Sequence, residues 1–185
     1  MAELVLFHHA QGLTPGCLAF AEDLRAGRHV VHTPDLYEGQ VFPDLDSGMA
    51  YAREARFGTI LDRGRAAADE LPADVFYGGF SLGVLPAQML AQTRPGALGA
   101  LLMHSAIPLA EFGGAWPSGV GLQIHTMESD ELGDVDEAKG LAAAVDDAEL
   151  FLYPGSAHLF TDRSLPAYAP REAASVLARA LDFLG

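Results

Sequence analysis

The feature that most constrains this chain is a repeated change of period. Six short apolar runs alternate with longer stretches in which apolar residues recur every three or four positions. Leu4-Val5-Leu6-Phe7 is apolar on both faces, as expected of a strand buried within a sheet. Further strands are read at His29–Thr33, Asp74–Gly79, Leu98–His104, Gly121–Met127 and Leu150–Tyr153. A first helix carries Cys17, Phe20, Ala21 and Leu24 and stops at Gly27. A longer one follows the turn-rich stretch around Pro43, with Phe57, Ile60, Leu61, Gly64, Ala68 and Leu71 on one face. A third runs from about Leu82 to Arg94, and a fourth, capped by the D-x-x-E pair Asp134 and Glu137, runs to about Val145. Pro170 opens the last, whose apolar face includes Ala173, Val176 and Leu184. Residues 107–118 show no helical period and read as a loop over the site. This alternation predicts an α/β fold, one domain over 1–185, with a mostly parallel sheet covered by helices on both faces. In such sheets the working residues sit beyond the carboxyl ends of the strands.

Charge and composition exclude several partners. With 11 Lys+Arg against 25 Asp+Glu the net charge is −14, which argues against a nucleic-acid partner and against docking on an anionic membrane. Cys17 is the only cysteine, so neither an intramolecular disulfide nor a four-cysteine zinc site is open to the chain. No apolar stretch approaches the roughly 20 residues of a membrane span. The start, Met1-Ala2-Glu3-Leu4, lacks the basic region of a signal peptide, so the expectation is a cytoplasmic protein.

At the end of the third strand stands Gly79-Phe80-Ser81-Leu82-Gly83, a G-x-S-x-G between a strand and a helix. An ordinary glycine-rich turn would use similar residues, but strand, sharp turn and helix together are what a nucleophile elbow requires. A serine nucleophile needs a base, and the base an orienting carboxylate. The fifth strand leads into Glu128-Ser129-Asp130 and the sixth into Pro154-Gly155-Ser156-Ala157-His158, so Ser81, Asp130 and His158 occur in nucleophile–acid–base order on loops at one edge. Glu131, Asp134 and Asp136 compete with Asp130, although Asp134 is better used as the helix cap. His29, His32 and His125 fall within strands and read as structural. An oxyanion hole would draw one donor from the Leu82 N–H and the other from His8-His9-Ala10-Gln11-Gly12, with Ala10 preferred to Gln11. Neighbouring strand residues point to opposite faces, so His8 and His9 cannot chelate one ion by themselves, and no metal is assigned. Candidates for the substrate pocket are His9, Gln11, Tyr37, His104, Trp116, Phe160 and Arg163, with Phe42 as a further aromatic. Arg163 either clamps a substrate carboxylate or is a surface arginine, and the aromatics either line a pocket or belong to the core.

Four segments carry a family resemblance: His8-His9-Ala10-Gln11-Gly12, Pro34-Asp35-Leu36-Tyr37-Glu38-Gly39, Gly79-Phe80-Ser81-Leu82-Gly83 and Tyr153-Pro154-Gly155-Ser156-Ala157-His158-Leu159-Phe160. Together they resemble the dienelactone hydrolase family over nearly the whole chain. The resemblance implies an α/β-hydrolase fold, no cofactor, and hydrolysis of a small-molecule ester or lactone with triad roles on Ser81, Asp130 and His158. With the right-handed crossover rule it implies strand order 2-1-3-4-5-6. The chain departs from the family in three ways. Ser81 stands where dienelactone hydrolases proper carry a cysteine, His9 stands where they carry a glutamate, and the chain begins at the central strand without the usual leading strands. The competing readings are a catalytically silent α/β-hydrolase fold that binds a ligand or partner, and a flavodoxin-like phosphate binder. The second would want a glycine-rich loop after the first strand, where only Gly12 and Thr14-Pro15-Gly16 are found.

Overall fold

A computed structural model describes residues 1–185. The strands are β1 (Glu3–Phe7), β2 (Val30–His32), β3 (Phe76–Phe80), β4 (Gly99–Met103), β5 (Gly121–Met127) and β6 (Glu149–Tyr153). The helices are α1 (Pro15–Ala26), α2 (Leu45–Ala55), α3 (Phe57–Asp69), α4 (Val84–Thr93), α5 (Val135–Ala144) and α6 (Pro170–Leu184). Every neighbouring strand pair is parallel, in the order β2-β1-β3-β4-β5-β6.

The period-2 pattern of the central strands decides where the helices go. In β1, Val5 and Phe7 face one core while Leu4 and Leu6 face the other; in β4, Ala100 and Leu102 oppose Leu101 and Met103 in the same way. The first core takes Ala52, Ile60, Ala87 and Leu141 from α2, α3, α4 and α5. The second takes Phe20 and Leu24 from α1 and Val176, Ala180 and Leu184 from α6. Each fully buried large apolar side chain contributes about 1.5–3 kcal/mol. Both faces are therefore sealed, and the open place is the carboxyl edge of the sheet. No helix is long and apolar enough to cross a membrane.

Several sequence expectations need correction. The long helix after Pro43 is two helices, because Arg56 sits at φ +69° and ψ 133°, where a helix cannot continue. The face from Phe57 to Leu71 describes α3, while α2 turns away to roof the carboxyl edge. Asp134 does not cap α5 with its side chain: it adopts a left-handed conformation (φ +49°, ψ 45°), and its carboxylate instead accepts a hydrogen bond from Ser105 Oγ at 2.7 Å. The helix after β3 opens as a 3-10 turn over Ser81–Gly83. Residues 107–118 contain a further 3-10 turn, Leu109–Phe112, and are pinned to α4. Gln88 exchanges two hydrogen bonds with the backbone of Ile107, and Gln92 donates to the carbonyls of Leu109, Phe112 and Ala115.

Candidate active site

The elbow is built by close approach. A Cβ on Gly79 would collide with the backbone of Gly83, and one on Gly83 would collide with the carbonyls of Phe7 and His8 at the end of β1. With both positions bare, the chain turns tightly enough to place Ser81 at φ +49°, a conformation a serine adopts only where its surroundings impose it. Ser81 Oγ then lies 2.9 Å from His158 Nε2, and His158 Nδ1 lies 2.7 Å from Asp130 Oδ2. Asp130 is buried and its Oδ1 accepts the Leu132 N–H at 3.0 Å, which fixes the carboxylate's orientation. The His158 side chain is 10 % exposed, enough for a reactant to reach it from one side. Such a chain can move a proton from a hydroxyl to an imidazole whose tautomer a carboxylate holds.

Three amides of the loop after β1 have distinct fates. The Gly12 N–H donates to His9 O at 3.0 Å and the Gln11 N–H to His9 Nδ1 at 3.2 Å, while the Ala10 N–H has no acceptor within the chain. Of the two amides weighed from sequence, Ala10 is thus the free donor. Leu82 N–H stands at the opening turn of the helix that follows the serine, where the helix dipole favours negative charge.

Beside Ser81 and His158 opens a cavity of about 350 Å³. Leu45 and Met49 of α2 and Phe57 of α3 form its roof; Leu82 and Leu85 form its floor. Ile107 and Leu132 close the sides, and Asp46, Arg53, Ser105 and Asp134 supply its polar rim. None of the pocket candidates named from sequence lines it. His9 is buried and turned to Asp162, with Nε2 2.8 Å from Oδ2. Gln11 donates its side-chain amide to Phe42 O, while Tyr37 is buried with T-shaped contacts to His8, Phe42 and Tyr51. His104 is buried behind His158, its ring centroid 5.9 Å away, and bonds Thr161 Oγ1 at 2.7 Å. Burial, reinforced by the neighbouring His158, pushes His104 well below the usual histidine range, so it is neutral. Phe160 is fully buried between His104 and Tyr153. Trp116 donates to Val120 O and borders a separate cavity, and Arg163 pairs with Asp23 on the surface. The sequence reading misses the real wall. Only the i, i+4, i+8 spacing of Leu45, Met49 and Arg53 could have pointed to it.

A profile of the dienelactone hydrolase family matches residues 3–185. The chain belongs to the dienelactone hydrolase family. Its fold agrees with that of solved structures of low sequence identity. A dienelactone hydrolase-like promiscuous phosphotriesterase from metagenomic libraries superposes with TM-score 0.79 at 19 % identity, over 100 % of this chain and 85 % of the other. A dienelactone hydrolase from Anabaena variabilis superposes with TM-score 0.70 at 20 % identity, over 98 % and 85 %. An esterase, PE8, gives 0.68 at 15 %, over 99 % and 93 %. No curated protein matches the chain.

Hydrolase-family membership makes the remaining buried polar groups worth placing. His8 Nε2 accepts the Leu36 N–H at 3.0 Å while Nδ1 donates to His9 O at 2.8 Å, and burial pushes its pKa down to about 4. His8 and His9, which lie just past the end of β1, therefore engage different partners and point apart. His9, Cys17 and Asp162 each bring one potential ligand atom within 4.8 Å of the others. Both oxygens of Asp162 are taken, however: Oδ2 by His9 and Thr14, Oδ1 by the backbone and hydroxyl of Ser164. Burial pushes this carboxyl up, but hydrogen bonds from His9, Ser164 and Thr14 outweigh it and hold the pKa at about 2. Cys17 packs with Phe20 and Leu24 in the second core.

Proposed function

We propose that this member of a hydrolase family is a serine esterase or lactonase that works through an acyl-enzyme on Ser81. The observation that carries the reading is the contact chain Ser81 Oγ–His158 Nε2 and His158 Nδ1–Asp130 Oδ2 at the mouth of an apolar cavity. His158 takes the Ser81 proton as Oγ attacks the carbonyl carbon, and Asp130 steadies the imidazolium that forms. The oxyanion is held by the N–H groups of Ala10 and Leu82, each such donor being worth about 100- to 1000-fold in turnover. His158 then gives the proton to the leaving oxygen, and a water activated by the same imidazole releases the acid. No step requires a metal or an organic cofactor.

The roof and sides of the cavity are aliphatic or aromatic, and its charged groups are one cation, Arg53, and two carboxylates, Asp46 and Asp134. Recognition is therefore led by apolar fit to a small acyl or lactone group rather than by net charge. The test is a panel of p-nitrophenyl esters of graded chain length beside a set of small lactones, assayed on wild type and Ser81→Ala. Turnover that falls off with long acyl chains and vanishes in Ser81→Ala supports the reading; equal turnover in the two proteins overturns it.

A further inference from the structure

The loop after β1 can offer the oxyanion a single amide only if its neighbours are held elsewhere, and both holds come from His9. The carbonyl of His9 takes the Gly12 N–H and its ring Nδ1 takes the Gln11 N–H. Burial alone would push the His9 ring down, but Cys17 and Asp162 beside it outweigh burial and raise its pKa to about 9. The Gln11 amide, 3.2 Å from Nδ1, opposes that charge, and the hydrogen-bond geometry is the firmer guide to the proton's place. Aimed at Nδ1, the amide needs a lone pair there, so the ring is neutral with its proton on Nε2. That proton is donated to Asp162 Oδ2 at 2.8 Å.

Asp162 follows His158 by four residues, on the same loop beyond β6. It cannot drift, because Thr14 Oγ1 donates to its Oδ2 at 2.5 Å and Ser164 donates both N–H and Oγ–H to its Oδ1. Thr14 is also the N-cap of α1, accepting the Cys17 N–H at 3.2 Å, and Ser164 Oγ accepts the Gly16 N–H at 3.2 Å. Asp162 lies so close to Gly16 that any Cβ there would run into its carboxylate. The start of α1, the loop of the base and the loop of the oxyanion donor are thus joined through one buried carboxylate and one neutral imidazole.

We propose that His9 and Asp162 are positioning residues for the oxyanion hole, with Asp162 fixing the His9 tautomer so that His9 Nδ1 captures the Gln11 amide and leaves the Ala10 amide for the substrate oxygen. The proposal rests on the serine-hydrolase reading above and extends it to a pair that touches no substrate. It explains why a histidine can occupy a site buried beside a carboxylate without acting as a base: both of its nitrogens are already engaged.

The test uses full-length protein carrying His9→Asn, His9→Leu or Ser81→Ala, with thermal unfolding recorded for each. An asparagine places Oδ1 where Nδ1 stands and can still accept the Gln11 N–H, whereas leucine cannot. His9→Leu is expected to lower kcat for a p-nitrophenyl ester by about tenfold or more with KM little changed, because an oxyanion contact acts in the transition state. His9→Asn is expected to recover most of that loss even where its stability matches that of His9→Leu. Long-range proton–nitrogen correlation on wild type should show Nε2 protonated and Nδ1 bare, a readout that needs no substrate. An unchanged kcat in His9→Leu, an equal loss in the two His9 variants, or a protonated Nδ1 overturns the positioning role. Full activity in Ser81→Ala would instead overturn the serine-hydrolase reading beneath it.

Discussion

Asp130→Asn probes how strictly the site depends on one proton's location. In the native protein the Leu132 N–H holds Oδ1 at 3.0 Å, which turns Oδ2 toward His158 Nδ1 at 2.7 Å. In the variant, the same Leu132 N–H keeps the amide oxygen at the Oδ1 position and leaves the NH₂ facing His158. Two donors would then meet at Nδ1, so the imidazole moves its proton to Nε2 and can no longer accept from Ser81 Oγ. Nothing is lost in volume, and the elbow, cavity and oxyanion donors stay in place, so the whole effect lies in the tautomer. An equivalent exchange in a serine-protease triad costs about 10⁴ in turnover, which corresponds to about 5.4 kcal/mol in the barrier. We expect a loss of that order in kcat for a p-nitrophenyl ester, with the unfolding midpoint nearly unchanged and His158 shown as the Nε2–H tautomer by nitrogen chemical shifts. A kcat within tenfold of wild type, or a His158 that keeps its proton on Nδ1, would refute the reasoning.

Three other outcomes follow from the structure. Burial lowers the pKa of His125 to about 3, with a smaller effect of Arg179 in the same direction, so the native state holds it neutral where the unfolded chain binds a proton below about pH 6.5. Stability should therefore be full above that pH and fall on acidification toward pH 3, and denaturant titrations at pH 4.5–6 should show His125→Phe with a slope shallower by about 1.4 kcal/mol per pH unit. Gln92→Leu removes the donor that pins the carbonyls of Leu109, Phe112 and Ala115, and should cost about 1–3 kcal/mol in chemical unfolding and loosen the selectivity among acyl chain lengths that Ile107 helps to set. Cys17→Ala should keep most ester turnover and lose only core stability, measured side by side on the same preparation, since Cys17 packs against Phe20 and Leu24.

The sheet was legible because each strand's two faces must satisfy two helical layers, and Leu4-Val5-Leu6-Phe7 and Gly99-Ala100-Leu101-Leu102-Met103 state that requirement residue by residue. Ser81, Asp130 and His158 were legible for a related reason: they lie one, three and five residues past the ends of β3, β5 and β6, so topology brings their loops to one edge. The cavity wall was not. It depends on where α2 and α3 part, and Arg56 at positive φ has no marker in the sequence, since neither glycine nor proline occupies that position. The aromatic candidates Tyr37 and Phe160 were absorbed by the core, where full burial removes more of their apolar area from water than lining an open pocket would. Asp134 looked like a helix cap because D-x-x-E is a local rule, and a tertiary partner, Ser105, competed for the same carboxylate. The His9–Asp162 pair spans 153 positions and could not be read from spacing at all.

The central claim is that Ser81 is a nucleophile activated by His158. It is tested most directly by intact-mass spectrometry after exposure to a fluorophosphonate, followed by peptide mapping. We expect one phosphonyl adduct per chain, on Ser81, formed rapidly in wild type and lost in both Ser81→Ala and a folded His158→Gln variant. An adduct on another residue, or labelling of Ser81 that proceeds as fast without His158, would contradict the account.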